Sequence, residues 1–283
     1  MKLLAWDTSS KAGAIVALEW PADSPSWESV RQAGEWSLNV DSQHSERLLW
    51  GIHQMLESAR WKLEEIDAFA VGVGPGSFTG LRIGITTART LAHALQKPLM
   101  GVSSLAALAR PAALWLKSTE RSDVMVVAST DACKGELFAL WGKASAVAGC
   151  VQAPQEEQEG LWKRDVRELV IAPEELMDAV KSKLKKDSAW LAVGEGRSRY
   201  GDAWKKLPAK QELKLEVPFT DQVQGRYLGM LAWEAWQAKM SREALAVHPR
   251  YVRASDAEIK LKSGVLKKAP SEVPASLLVG EKA

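Results

Sequence analysis

Apolar residues recur along this chain with two distinct periods. From Leu81 the spacing Leu81, Ile85, Ala88, Leu91, Ala92, Leu95 follows 3.6 residues and predicts a helix running to about residue 95. A second helical face, Leu48, Leu49, Ile52, Met55, Leu56 and Ala59, predicts a helix over about residues 44–59, with Asp41 or Ser42 as its cap and Trp50 off the apolar face. Between the two, Ile66–Val73 ends wholly apolar, as a strand covered on both faces does. Leu3–Trp6 and Ala14–Leu18 flank a polar turn and predict a β-hairpin. Gly34–Val40 predicts a third strand, reached through a loose loop over Pro21–Trp27. A strand at Leu99–Val102 and a helix over Ser104–Leu116 complete a strand–helix–strand–helix order. That order predicts a mixed α/β sheet with parallel strands inside.

A second unit opens at Val124–Ser129 and returns at Leu137–Trp141 through a polar turn led by Asp131 and containing Gly135. The chain makes the same move at Asp7, so a weak internal duplication is visible. Gln152–Gly160 is acidic, contains Pro154 and reads as a loop. Pro173 opens a helix with Glu174 and Glu175 in its first turn, where the helix dipole favours acids. Trp190–Gly194 predicts a strand and Gly225–Lys239 a long helix. Beyond Lys260 the chain turns to Lys, Ser, Pro and Ala and reads as a disordered tail.

The sharpest local signal is Gly74-Pro-Gly-Ser-Phe-Thr-Gly80, between the apolar strand and the Leu81 helix. Pro75 fixes φ while Gly74 and Gly76 permit positive φ, so the backbone reverses tightly, and Ser77 or Thr79 can cap the helix. A helix N-terminus after glycines can hold a phosphate, but neither a Walker pattern nor GxGxxG is present, and a tight packing turn is the preferred reading. Gly80 and Gly84, four apart, mark a strip where another backbone can approach. Asp7, with Thr8, Ser9 and Ser10, and Asp131 in the second unit, each offer a carboxylate at a hairpin turn, able either to hold a water-bound magnesium or to cap its own turn.

Composition narrows the chemistry. Across 283 residues, 46% are hydrophobic and 25% charged, as in a globular protein, and no apolar run reaches membrane length. The opening Met1-Lys-Leu-Leu-Ala-Trp-Asp7 meets an acid too early for a leader, so the cytoplasm is the expectation. A net charge of +2 does not advertise nucleic-acid binding. Cys133 and Cys150 have neither metal nor redox spacing, and the four histidines, His44, His53, His93 and His248, form no HxxxH pair. No GxSxG surrounds Ser77. The 13 tryptophans show no repeat spacing.

Gly74-Pro-Gly-Ser-Phe-Thr-Gly-Leu-Arg-Ile-Gly84 resembles, nearly letter for letter, the signature of the TsaB (YeaZ) family of tRNA threonylcarbamoyladenosine (t6A) biosynthesis. The resemblance continues in Leu4-Ala-Trp-Asp-Thr-Ser-Ser10, His44-Ser-Glu-Arg-Leu48, Pro98-Leu-Met-Gly-Val-Ser-Ser-Leu-Ala106, Asp131-Ala-Cys-Lys-Gly-Glu-Leu137 and Pro249-Arg-Tyr-Val-Arg253. It implies the two-lobed α/β fold of the actin-like ATPase superfamily (RNase H-like), with lobes at 1–118 and 119–258 and a tail over 259–283. It also implies a non-catalytic partner that binds and activates TsaD, its catalytic relative, with the ATPase TsaE joining the pair. A homodimer in isolation, tRNA met through the complex, and ATP and metal held by the partner subunits follow from the same likeness. The TsaD-binding surface it implies is the His44-led helix and the helix after Gly76, carried by His44, Glu46, Arg47, Trp50, Ser77, Thr79, Gly80, Arg82 and Gly84. Nucleotide or phosphate contacts, if made, fall on Asp7, Thr8, Ser9, Ser10 and Asp131. TsaD binds its metal with an HxxxH pair whose positions correspond here to Ser104 and Leu108, which are not metal ligands. Two other readings stay open: an independent nucleotide hydrolase or metallopeptidase-like enzyme, and direct tRNA binding through Lys260, Lys262, Lys267 and Lys268.

Overall fold

The computed structural model describes residues 1–21, 26–39, 44–150, 166–213 and 221–252. The predicted caps Asp41 and Ser42, the Gln152–Gly160 loop and the lysine-rich tail lie outside the described residues. The chain opens with strands β1 (Lys2–Asp7), β2 (Ala12–Glu19) and β3 (Arg31–Asn39), then helix α1 (His44–Ala59), β4 (Ala68–Gly72) and α2 (Phe78–Ala94). β5 (Leu99–Val102) and α3 (Ser104–Ser118) follow. The second half runs β6 (Met125–Asp131), β7 (Leu137–Lys143), the single turn α4 (Ala144–Val147), β8 (Arg167–Ile171), α5 (Pro173–Lys183), β9 (Trp190–Val193), the short helices α6 (Gly196–Arg199) and α7 (Gly201–Trp204), and α8 (Gly225–Gln237).

Two mixed sheets result. The first has the order β3-β2-β1-β4-β5 and the second β8-β7-β6-β9. In each, the central strand pairs antiparallel with the strand that follows it and parallel with a strand that returns later. Asp7 closes β1 and Asp131 closes β6, at the same point of the repeated pattern, so the duplication read from the hairpins extends to whole sheets. This is the two-lobed actin-like fold.

The inner strands β1, β4 and β6 are largely apolar because both faces of both sheets are covered. In β1, Leu4 and Trp6 point toward α1 and α2, while Leu3 and Ala5 point into an inner core shared with α3 and α8. Val126, Ala128, Leu140 and Leu191 of the second sheet enter that same inner core. Its outer face, with Val127, Ala139 and Trp190, packs on Leu176, Met177 and Trp204 of α5 and α7. The layers therefore run helix, sheet, helix, sheet, helix. The tryptophans mostly meet other aromatics: Trp20 stacks on Trp233 at 4.6 Å, Trp190 on Trp204 at 5.8 Å, and Trp36 lies 5.2 Å from Trp50.

Three expectations need correction. Leu49 does not join the apolar face of α1; it is 56% exposed, because the buried arc of that helix is Leu48, Ile52, Met55 and Leu56. Strand β8 has no counterpart in the sequence reading: Arg-Glu-Leu-Val-Ile is too short and too polar at its start to show an alternation. β6 and α3 each run two residues further than their apolar patterns, since Thr130, Asp131, Lys117 and Ser118 keep their backbone pairing without core side chains.

Candidate functional site

The glycine turn is filled by its own chain. Val73 donates to the Val102 carbonyl at 2.9 Å, continuing the β4–β5 pairing, and the Gly74–Pro75 bond is cis. Ser77 caps α2, its Oγ accepting the Gly80 N–H at 3.2 Å. The Ser77 N–H donates to the Ser9 carbonyl at 2.6 Å, and a Cβ on Gly76 would stand 2.3 Å from that oxygen. The position where a phosphate would rest on the helix N-terminus is thus taken by the β1–β2 turn. The packing reading of this turn is the one the geometry supports.

The polar run after β1 is spent in the same way. Asp7 is fully buried. Its Oδ1 accepts from the Ser9 N–H at 2.9 Å and the Ser9 hydroxyl at 2.6 Å, and its Oδ2 accepts from the Ser104 hydroxyl at 2.5 Å. Ser104 in turn accepts from the Gly74 N–H at 3.2 Å. Thr8, also buried, donates to the Gly80 carbonyl at 2.7 Å. Only Ser10 stays partly open, and its hydroxyl donates to the Ala12 carbonyl at 3.0 Å. In this structure Asp7, Thr8 and Ser9 are buried and act as internal fasteners between the β1 turn, the glycine turn and α3. Asp131 is engaged likewise. Its Oδ1 accepts from the Tyr200 hydroxyl at 2.8 Å and the Cys133 N–H at 3.0 Å, and its Oδ2 pairs with Arg199 at 2.8 Å.

At the two positions corresponding to the metal pair of TsaD the residues do not fit a metal. Ser104 is bonded to Asp7, and Leu108 is buried in the inner core. Among the described residues no three His, Cys, Asp or Glu side chains converge.

The predicted partner residues divide into two groups. Arg47, Ser77, Thr79 and Arg82 are exposed, and Trp50 is 55% exposed beside Leu49. His44 and Glu46 stand in the first turn of α1, with side chains outside the described residues. Gly80 and Gly84 are the exception, and here the expectation is corrected: both are buried. A Cβ on Gly80 would lie 2.0 Å from the Thr8 carbonyl oxygen and one on Gly84 2.2 Å from Thr8 Oγ1. The close approach they permit is that of α2 to the β1 turn, inside the chain, and not that of a partner helix.

Arg82 is held by two aromatic neighbours. Its guanidinium lies 3.9 Å from the centre of the Phe78 ring, and its Nε donates to the Tyr251 hydroxyl at 3.1 Å. Tyr251 itself packs on Phe78 with ring centroids 4.8 Å apart. Phe78, Arg82 and Tyr251 make an exposed aromatic and cationic cluster at the head of α2, and the neighbouring α1, which contacts α2, exposes Leu49 and Trp50. The sequence reading missed Phe78 and Tyr251, although both lie within the motifs quoted for the resemblance.

A second group was also missed. Glu168 of β8 stands in register opposite Leu140, whose side chain lies in the inner core, so the pleat carries a carboxylate into that core. Its Oε1 accepts from the Ser103 hydroxyl at 2.7 Å and its Oε2 pairs with the Arg250 guanidinium. Burial pushes its pKa up to about 7, against the lowering effects of Arg250 and the Ser103 bond. Nearby, burial pushes the Cys150 thiol up to about 12, reinforced by Glu168.

The fold and this site define a TsaD-like protein of the actin-like class without the histidine pair of TsaD itself. A family model described as TsaD, tRNA N6-adenosine threonylcarbamoyltransferase, matches residues 38–261. The t6A biosynthesis protein TsaB of Escherichia coli is 29% identical over 72% of this chain and 76% of its own length. TsaB of Buchnera aphidicola is 30% identical over 64% of this chain and 73% of its own length. Among solved structures, YeaZ from Pseudomonas aeruginosa is 27% identical, covering 88% of this chain and 99% of that one with a TM-score of 0.63. The chain belongs to the TsaB (YeaZ) family of the TsaD-like proteins.

Proposed function

We propose that this chain acts in t6A formation on tRNA as a non-catalytic subunit that binds and activates TsaD. Exposed apolar side chains on two adjacent helices carry the reading. Leu49 and Trp50 on α1 and Phe78 on α2 are exposed apolar side chains on helices that each pack one arc against the first sheet, as a face that buries itself against a partner helix pair does. Tryptophan, tyrosine and arginine are the residues that most often dominate such contacts, and Trp50, Arg82 and Tyr251 supply all three. The non-catalytic assignment draws on the resemblance and on Ser104 and Leu108, which are spent on packing. In this reading TsaE joins the TsaD pair, tRNA is met through the complex, ATP and metal belong to the partner subunits, and the chain works in the cytoplasm. The same face closes a homodimer when TsaD is absent.

The test is co-purification with the TsaD of the same organism, comparing wild type with Leu49→Asp/Trp50→Asp. Both residues are exposed, so the variant keeps its fold, and loss of the complex is the expected result. A well-folded wild type that forms no complex with TsaD refutes the proposal, and so does a double variant that binds as wild type does.

A further inference from the structure

The segment around Tyr251 has no helix or strand to hold it, yet it completes the exposed cluster at the head of α2. Residues 249–252 lie beyond α8, and Tyr251 meets Arg82 across 169 positions of sequence. Two anchors of the segment are specific bonds of Arg250. The Arg250 N–H donates to the Val73 carbonyl at 2.8 Å, which ties the backbone to the strand end before the glycine turn. The Arg250 side chain reaches the other way, into the second sheet, and pairs with buried Glu168. Glu168 is itself held by the Ser103 hydroxyl, and Ser103 Oγ also accepts the Ala106 N–H at 3.0 Å as the cap of α3. A continuous set of bonds therefore runs from β8 of the second sheet, through Arg250, to Tyr251, Phe78 and Arg82 on the face that meets TsaD in the function proposed above.

We propose that Glu168 is a positioning residue for the TsaD-docking face, setting the place of Tyr251 on Phe78 and Arg82 by holding Arg250. The inference rests on the reading that this face binds TsaD. It makes a carboxylate of the second sheet, remote from both docking helices, a determinant of partner affinity.

Burying a charged pair gains little stability over an apolar pair of the same shape, so an ion pair in this core makes sense as a device that fixes one arrangement. The arrangement it fixes is that of Arg250, whose neighbour in sequence is the most exposed ring of the cluster after Trp50. Among the described residues, the charged and titratable groups around Glu168 are Arg250 and the Cys150 thiol, with Arg110 of α3 and Glu234 of α8 acting on Cys150. The thiol, pushed up to about 12, stays neutral in the working range, and Arg110 and Glu234 pair with each other. Burial raises the Glu234 carboxyl as well, but its partner is Arg110; Glu168, pushed up to about 7, is the carboxylate that faces Arg250, and lowering the pH from about 8 to about 6 removes the anion that holds Arg250.

The experiment measures affinity for purified TsaD of the same organism with wild type, Glu168→Gln, Tyr251→Ala and the double variant, at about pH 8 and about pH 6. Thermal unfolding of each protein is recorded alongside. At pH 8 each single variant is expected to bind at least about fivefold more weakly, and the double variant no more weakly than the worse single one, because both act on one element. Wild-type affinity falls between pH 8 and pH 6, and that part of the fall is missing in Glu168→Gln; other groups on the face act equally in both. Should Glu168→Gln not fold, wild type is compared with Tyr251→Ala over the same range, and the proposal requires the pH dependence to shrink when Tyr251 is absent. Equal affinity of folded Glu168→Gln and wild type, losses that multiply in the double variant, or a pH dependence unchanged by Tyr251→Ala each overturn the proposal. Absence of binding by wild type at either pH overturns the docking reading, and this inference with it, and so is told apart from a failure of Glu168 alone.

Discussion

Gly84→Ala tests the assignment of the α2 glycines to the interior. On a solvent-facing or partner-facing helical position, alanine stabilises by about 1 kcal/mol relative to glycine. At residue 84 the added methyl would stand 2.2 Å from Thr8 Oγ1 and 3.4 Å from Thr8 Cβ. Thr8 is buried, so its hydroxyl cannot turn toward water, and moving it breaks the 2.7 Å bond to the Gly80 carbonyl. An unsatisfied buried hydroxyl costs about 1–3 kcal/mol and overpacking a tight site about 1–3 kcal/mol. Set against the helix-propensity gain, the net destabilisation expected is about 1–5 kcal/mol. Urea unfolding followed by circular dichroism, with unchanged m, reads it directly. The same substitution in a Thr8→Ala background removes the obstructing oxygen, and its cost should fall below about 1 kcal/mol. Gly80→Ala should be worse than Gly84→Ala, because its methyl would meet the Thr8 backbone oxygen at 2.0 Å, and a backbone atom has no rotamer to escape into. If Gly84→Ala stabilises the chain in the wild-type background, the interior assignment is wrong.

Three further outcomes are expected. Ser104→Ala strands the buried Gly74 N–H and one Asp7 oxygen together, and should cost about 2–4 kcal/mol in the same unfolding assay, whereas a loss under 0.5 kcal/mol would mean that the Asp7 network is not a fastener. Between pH 4.5 and about 7 the folded chain keeps a proton on Glu168 that the unfolded chain has released, so this group's contribution to stability declines as pH rises across that window, by on the order of 3 kcal/mol in all. Unfolding at pH 5 and pH 8 should show the decline in wild type and not in Glu168→Gln, and identical pH dependence in the two would refute it. Of the two cysteines, exposed Cys133 should react with a thiol reagent at pH 8 while buried Cys150, its thiol pushed up to about 12, reacts only on unfolding, and mass spectrometry of the labelled peptides distinguishes them.

Elements with a strong period were legible in the sequence. The helix predicted over 44–59 is α1 residue for residue, and the one from the glycine turn ends within a residue of its expected end. Strands covered on both faces announced themselves as apolar runs. What stayed hidden were relations between distant residues. A glycine pair four apart signals that something comes close but not what, and here it is Thr8, more than 70 positions away. Asp7 and Ser104 meet across 97 positions, and Glu168 meets Ser103 across 65 and Arg250 across 82. Glu168 in particular reads as a surface residue in a short polar strand, and only its register opposite Leu140 turns it inward. Leu49 misled for the opposite reason: it lies at the margin of the apolar arc, where helical spacing still counts it but the sheet beneath does not reach.

Helix α3 follows the first sheet in sequence but lies against β6, β7 and β9 of the second, within the inner core that both sheets share. Ten of its residues are buried, and its alanine-rich surface contacts β6 and β7 of the second sheet as well as α8. A nascent chain that has emerged only as far as Ser118 would hold the first sheet complete in sequence but with one side of α3, and one side of β1, β4 and β5, open to water. Such a fragment has nowhere to hide Leu108, Ala112 and Leu116 until β6, β7 and the far-off α8 arrive. Synthesis of this protein therefore passes through a window of adhesive intermediates, and cutting the chain between its lobes would yield pieces that aggregate rather than two working modules.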